Sequence, residues 1–260
     1  ASSPQSYKDI RYNVFGGDRW SQGGEGATWS FYVNQTGWYQ LGLRYNTSLT
    51  DIVAYREVKI DGEIPFAEVE EYCFPYSDGW IGSAFKDENQ NPYLFYLTEG
   101  NHTLTLTSKV GPLRAAVQRL NEIMDSVSGL VTDVANITGA KRNDSGGYTV
   151  DKNRDWDLQI YITDIQDQMN YYVSSFNEIY EIIKVANGGA LPYYGSSVSV
   201  ACTLFERLAE DLEKIPVSLN DINDTLSSLS TTLSEITVMP LEVDYLVVSG
   251  TSESYSYARS

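Results

Sequence analysis

Residues 158–183 read LQIYITDIQDQMNYYVSSFNEIYEII. Within them Leu158, Ile162, Ile165, Met169, Tyr172, Phe176, Ile179 and Ile183 recur at alternating intervals of four and three. That spacing lines one face of an α-helix with apolar groups and leaves the other face polar. Three further runs carry the same spacing. They are Leu113, Val117, Leu120, Met124, Val127, Val131, Val134; then Val198, Cys202, Phe205, Ala209, Leu212; then Leu219, Ile222, Leu226, Leu229, Leu233, Ile236. The pattern predicts helices over 113–137, 154–187, 198–214 and 218–236. Gly188-Gly189 stops the second, Pro216 breaks the third, and Ser218 is placed to cap the fourth. A repeat near 3.5 residues predicts an antiparallel four-helix bundle.

On both sides of this block the apolar period changes to two. Residues 11–15, 27–33, 37–46, 53–60, 93–97, 101–107 and 241–248 read as strands. The turns Asn34-Gln35-Thr36-Gly37 and Glu99-Gly100 predict two hairpins. The last strand must rejoin the sheet that the chain left, or its apolar face would stay in water. The fold class is therefore α+β: an antiparallel β-sandwich, 1–110 plus 239–260, with a four-helix bundle inserted at 111–238. An even helix count returns the chain to its point of departure. By that parity the loop after the second helix, with Tyr193 and Tyr194, is expected beside the sandwich, and the polar loop 139–151 at the far end.

The chain of 260 residues carries a net charge of −17, with 20 Tyr and 5 Trp against 8 Phe. That acidity argues against nucleic acid, whose phosphates need basic patches, and against anionic membrane surfaces. No apolar run is long enough to span a bilayer. The one histidine, His102, sits at the start of a strand pattern and reads as structural, so a Ser-His-Asp or Cys-His system is not expected. Cys73 and Cys202 read as small buried hydrophobes rather than a disulfide. The acidic cluster Glu68, Glu70, Glu71 and Glu25 in its Gly-rich loop would suit glycoside hydrolysis only as a pair; solvated carboxylates are the simpler reading. No cofactor is indicated. Calcium stays open, because 87–91 and 151–155 alternate oxygen ligands, although neither completes a calcium loop.

The strand phrases ATWSFYV (27–33), TGWYQLGLRYN (36–46), REVKIDG (56–62), LTEGNHTLTLTS (97–108) and LEVDYLVVSG (241–250) together resemble family 6 and family 35 carbohydrate-binding modules. The resemblance implies a jelly-roll-like sandwich that binds a polysaccharide or oligosaccharide without cleaving it. The helical insert is similar to inserts of secreted sugar-capture and starch-adhesion proteins of Gram-positive bacteria. That implies an extracellular, cell-surface setting in a larger multidomain protein, and starch or malto-oligosaccharides as ligand. The resemblance places Asn46 beside the site and a stacking indole at Trp80. Glu242 stands where the family often has Asn, and the family's calcium-binding opening strand is not recognisable.

A sugar site needs a flat aromatic face for the ring's C–H patch and planar polar groups for its hydroxyls. The loop after the first strand offers Asp18, Arg19 and Trp20, and the loop 72–92 offers Tyr76, Asp78 and Trp80. The expected site is thus Trp80, Trp20, Tyr76, Asp78, Arg19 and Asn46, joined by Tyr193 and Tyr194. The competing reading has Trp20 and Trp80 plugging the sandwich ends, and Trp29 and Trp38 as core or strand-surface residues. A structural spacer or protein-interaction module is the alternative function.

Overall fold

The computed structural model describes residues 14–48, 52–143 and 146–251. They form two compact units, one ending at Gly111 and resuming at Thr237, the other running Pro112–Ile236. The part of the expected first strand at 11–13 lies outside the described residues.

In the first unit the strands are β1 (Phe15–Gly17), β2 (Gly26–Val33), β3 (Gly37–Asn46), β4 (Ala54–Ile60), β5 (Tyr72–Phe74), β6 (Ile81–Ala84), β7 (Phe95–Leu97) and β8 (Gly100–Lys109). The insert holds a two-stranded hairpin, β9 (Lys141–Arg142) and β10 (Tyr148–Thr149), and Leu241–Gly250 forms β11. One sheet runs β1-β11-β3-β6, with β7 also on β3; the other runs β2-β8-β4-β5. All pairings are antiparallel. Alternating inward residues fill the space between the sheets. Tyr45 of one sheet meets Phe74 of the other at 5.0 Å between rings, and Tyr72 meets Phe85 at the same distance. Leu41, Leu43, Val58, Leu104 and Leu106 are fully buried around them.

Two expectations are corrected here. The turns at 34–37 and 98–100 do not make hairpins. β2 pairs β8 while β3 pairs β11, and β7 pairs β3 while β8 pairs β4. Each turn carries the chain from one sheet to the facing one. Turn residues specify that the chain reverses; which strand it then bonds to depends on where the apolar face finds a partner. The expectation that the last strand rejoins the sheet the chain left is corrected as well: β8 and β11, the strands on either side of the insert, lie in opposite sheets of the sandwich.

The return of β11 is fixed by Arg56. This side chain of β4 is fully buried, and its Nη1 donates to Tyr55 O at 2.9 Å. Its Nη2 donates to Trp20 O at 3.1 Å and to Met239 O at 2.7 Å. Its guanidinium lies 4.4 Å from the Trp20 ring centre. Burial pushes its pKa down to about 9 and Glu25 pulls it back up, so it stays charged at neutral pH. Gly16, at φ +114, lets β1 run flush against β11; a Cβ there would overlap the Leu241 carbonyl.

The second unit is a four-helix bundle: α1 (Leu113–Thr138), the single turn α2 (Leu158–Tyr161), α3 (Ile165–Ala186), α4 (Ser196–Glu210) and α5 (Leu219–Glu235). Contacts run α1 to α3, α3 to α4, α4 to α5 and α5 back to α1. The long second helix is broken at Ile162–Asp164, where two β-branched residues and an Asp are poor helix formers. Its seam is otherwise as read, from Leu158 to Ile183. On α1 Leu113, Leu120, Val127, Val131 and Val134 are buried as read, but Ala116, Ile123 and Leu130 join them while Val117 and Met124 turn part-way out. α5 buries Thr225 and Thr232 where Leu226 and Leu233 were expected. Each helix touches two neighbours, so its apolar stripe is wider than one seam. Ser218 makes no side-chain cap. Gly188 and Gly189 do end α3, both at positive φ. Cys202 is buried in the bundle and Cys73 half-buried in the sandwich, both as free thiols. Burial, aided by Glu206, pushes the Cys202 thiol up to about 11.

His102 on β8 is structural. Its Nδ1 meets Asp61 Oδ2 at 2.7 Å and its Nε2 meets the Thr98 carbonyl at 2.8 Å. Both partners are acceptors at this pH, so only the doubly protonated ring satisfies both. Burial lowers the pKa of His102, but the Thr98 carbonyl and Asp61 together outweigh it and raise it. A raised histidine pKa stabilises the fold fully below the unfolded value near 6.5, and the gain is lost as pH rises through the folded value. Burial opposes ionisation of Asp61, but its bonds to His102 and Thr103 lower its pKa. Its contribution is therefore lost only in acid. The urea midpoint of the wild type minus that of His102→Gln is expected to be larger at pH 5.5 than at pH 8.5. A difference independent of pH would contradict this.

Arg56→Met removes three buried hydrogen bonds to main-chain carbonyls and is expected to destabilise the sandwich by about 3–5 kcal/mol. Urea unfolding followed by tryptophan fluorescence should shift to a lower midpoint. The helical signal at 222 nm should keep its own transition.

Candidate functional site

Four chain segments meet at one strand end of the sandwich. β1 ends at Gly17, paired with Leu241; β11 begins there; Glu242 pairs with Asn46 at the end of β3; and β6 begins at Ile81, paired with Tyr45. The residues just beyond these ends, Asp18-Arg19, Thr47, and Trp80, therefore form one rim.

Several side chains hold that rim in place. Arg44 Nη1 donates to Asp244 Oδ2 at 2.7 Å, and the Asp244 side chain is almost fully buried. The same guanidinium lies 5.1 Å from the Trp80 ring centre. A bulge in β11 between Val243 and Tyr245 turns Asp244 towards Arg44. Asn46 Nδ2 donates to Glu242 Oε2 at 2.9 Å, and its Oδ1 accepts from Ser48 N. The loop carrying Tyr76, Asp78 and Trp80 is clamped to Thr47. Thr47 N donates to Ser77 Oγ at 3.1 Å, Ser77 N donates to Thr47 Oγ1 at 2.7 Å, and Thr47 Oγ1 reaches Pro75 O. Reciprocal bonds of this kind leave neither buried amide without an acceptor.

The expected residues thus separate into two sets. Trp80, Tyr76, Asp78, Asn46 and Arg19 fall on this rim. Trp80 is half-buried, Tyr76 is 44% exposed, Asp78 and Arg19 are exposed, and Asn46 is buried beneath them. Trp20 does not present a platform. It is 1% exposed, donates Nε1–H to Glu25 O at 2.9 Å, and packs on Phe15, Trp29 and Arg56. A large indole beside a buried guanidinium gains more from packing and cation–π contact than from water. Tyr194 is likewise a core residue, 4% exposed within the helical unit, its carbonyl accepting from Thr232 Oγ1 at 2.9 Å. Tyr193 of that unit is 51% exposed. Sequence reading missed Arg44 and Asp244, which support Trp80, and the Thr47–Ser77 clamp. Arg44 and Asp244 stand inside the strand phrases TGWYQLGLRYN and LEVDYLVVSG; nothing local marks the Thr47–Ser77 clamp.

Four of the carboxylates weighed for catalysis or calcium accept local hydrogen bonds. Glu25 accepts from Ser21 N and Gln22 N at 3.0 and 2.9 Å. Asp87 accepts from Asn91 N and Nδ2, and Asp151 and Asp155 from amides two residues on. Among the described residues no group of three or more His, Cys, Asp or Glu is arranged to hold a metal ion, and no helix is long and apolar enough to cross a membrane.

Residues 115–239 match the family described as the bacterial solute-binding protein 4-helix bundle domain. No curated protein matches the chain. Among solved structures, a family 35 carbohydrate-binding module from Clostridium thermocellum is 17% identical over 34% of this chain and 62% of its own, with a TM-score of 0.28. A family 35 module from an environmental isolate is 15% identical over 42% of this chain and 72% of its own, at 0.30. A GH26-CBM35 β-(1,4)-mannanase from Podospora anserina is 12% identical over 75% of this chain and 65% of its own, at 0.24. The chain therefore spans less than two thirds of the length of the first of these, and all three likenesses are distant.

Ser77→Ala removes the acceptor of a buried Thr47 amide and is expected to cost about 1–3 kcal/mol. Hydrogen exchange of the amides in 75–80 should accelerate, while Arg44 and its β-ladder amides stay protected. Unchanged exchange in that loop would show that the clamp does not order it.

Proposed function

We propose that the β-sandwich is a non-catalytic glycan-binding module of a secreted or cell-surface bacterial protein. In this reading the ligand lies on the rim of Trp80, Tyr76 and Asp78, supported by Asn46 and Arg44, with Arg19 at its edge. The observation that carries it is the clamped loop at the end of β3. It brings an indole braced by a guanidinium together with a tyrosine and a carboxylate, at strand ends tied by buried hydrogen bonds. Such an arrangement pays little ordering entropy on binding. At the rim Glu242 accepts from Asn46 and Asp244 from Arg44, so these two carboxylates serve to hold the strand ends, which supports binding over hydrolysis.

A neutral α-glucan such as starch or a malto-oligosaccharide is the proposed ligand, on the strength of the strand phrases and of the insert, which resemble those of starch-adhesion proteins. The matched bundle domain fits a sugar-capture protein of several domains.

Loss of the Trp80 ring is expected to weaken binding by about 1–3 kcal/mol, taking base–aromatic stacking as the analogue, or roughly tenfold and more. Isothermal titration of soluble starch and maltoheptaose into the wild type and Trp80→Ala measures it, with circular dichroism confirming the fold. A folded Trp80→Ala protein that binds like the wild type would remove the rim from consideration. Sugar release by the purified protein would overturn the non-catalytic reading.

A further inference from the structure

A second aromatic surface lies at the other end of β3. Trp38 and Tyr96 stand directly opposite each other in the β3–β7 register, so both side chains leave the sheet on one face. Their neighbours Phe95 and Leu97 point the other way and are buried. The two rings are 5.3 Å apart and set edge to face at 67°. They are 55% and 59% exposed. Each could have buried a large apolar area, so their exposure on a rigid strand calls for a partner.

The surroundings say what kind. One residue in five of this chain is charged, yet Gly26–Leu43 and Pro92–Thr98 contain no charged residue. Gln40, next on the same face of β3, lies opposite Ser249, and Gln35 and Thr36 form the preceding turn. Flat aromatic faces beside neutral amides and hydroxyls match the C–H patches and hydroxyls of an uncharged sugar. A second copy of this chain fits poorly, because two rings fall far short of about 800 Å² per partner and each copy carries a charge of −17.

We propose that Trp38 and Tyr96 form a second contact platform for a neutral glycan, distinct from the Trp80 rim. The inference rests on the glycan-binding reading but not on the rim assignment. Trp38, Gln40, Arg44 and Asn46 alternate onto one face of β3, and at about 3.4 Å per residue Trp38 and Asn46 are roughly 27 Å apart. A polysaccharide long enough to span that distance reaches both platforms and gains by avidity, whereas a short oligosaccharide reaches one.

The test titrates the wild type, Trp38→Ala, Tyr96→Ala and Trp80→Ala with soluble starch, galactomannan and xylan, and with the trisaccharide of whichever polysaccharide binds. Urea unfolding confirms that each variant folds. Trp38→Ala and Tyr96→Ala are expected to weaken polysaccharide binding about tenfold while leaving the trisaccharide affinity unchanged, and Trp80→Ala to weaken both. Wild-type polysaccharide affinity in both Trp38→Ala and Tyr96→Ala overturns the second platform and leaves the rim standing. So does an equal loss on trisaccharide and polysaccharide in Trp38→Ala. If Trp80→Ala binds both ligands normally while Trp38→Ala weakens the polysaccharide, the rim falls and the second platform stands. A wild type that binds none of the three polysaccharides overturns both.

Discussion

The buried Arg56 guanidinium is the point on which the sandwich closes. A charge with no water around it must find acceptors or be neutralised. Here three main-chain carbonyls, from Tyr55, Trp20 and Met239, supply them, and the Trp20 face supplies a cation–π contact. Those three carbonyls belong to segments far apart in sequence. Met239 follows the whole helical insert, so its bond to Arg56, with the Met239 N–H bond to Ser21 O, sets where β11 begins. An apolar residue at 56 would make none of these three bonds.

From that start β11 pairs with both β1 and β3, and the rim follows from their common end. Glu242 reaches Asn46, the bulge turns Asp244 to Arg44, and Arg44 lies over Trp80. The loop beyond is held by Thr47 and Ser77. Groups placed on strand ends and tied by buried hydrogen bonds are better ordered than groups on a free loop. The face of β3 then changes character along its length. It is aromatic and uncharged near Trp38, and charged and hydrogen-bonded near Arg44 and Asn46.

The helical unit has its own core. Tyr172, Phe176 and Phe205 stack at its centre, with rings 5.1–5.5 Å apart across α3 and α4. Its four seams close on one another, so the insert buries its own apolar faces. The break at Ile162–Asp164 lets Leu158 keep its place in the core while Trp156, under Arg154 at 4.0 Å, fills the end.

The sequence by itself determined the two periods, and with them the two units and the class of every long element. Local patterns report the period of an element, which near neighbours set; which residues of the apolar stripe are finally buried depends on the elements packed against it. The family resemblance of the strand phrases pointed to Trp80 and Asn46, and Tyr76 and Asp78 lie in the same loop as Trp80. Only the tertiary structure decided the rest. The turns at 34–37 and 98–100 cross between sheets rather than forming hairpins, because pairing is chosen by distant strands. Trp20 is a core residue because Arg56, from another strand, needed its carbonyl and its face. Tyr194 is buried and Trp38 exposed for the same reason: burial belongs to the packed whole, and an aromatic residue carries no local mark of which side of a surface it will occupy.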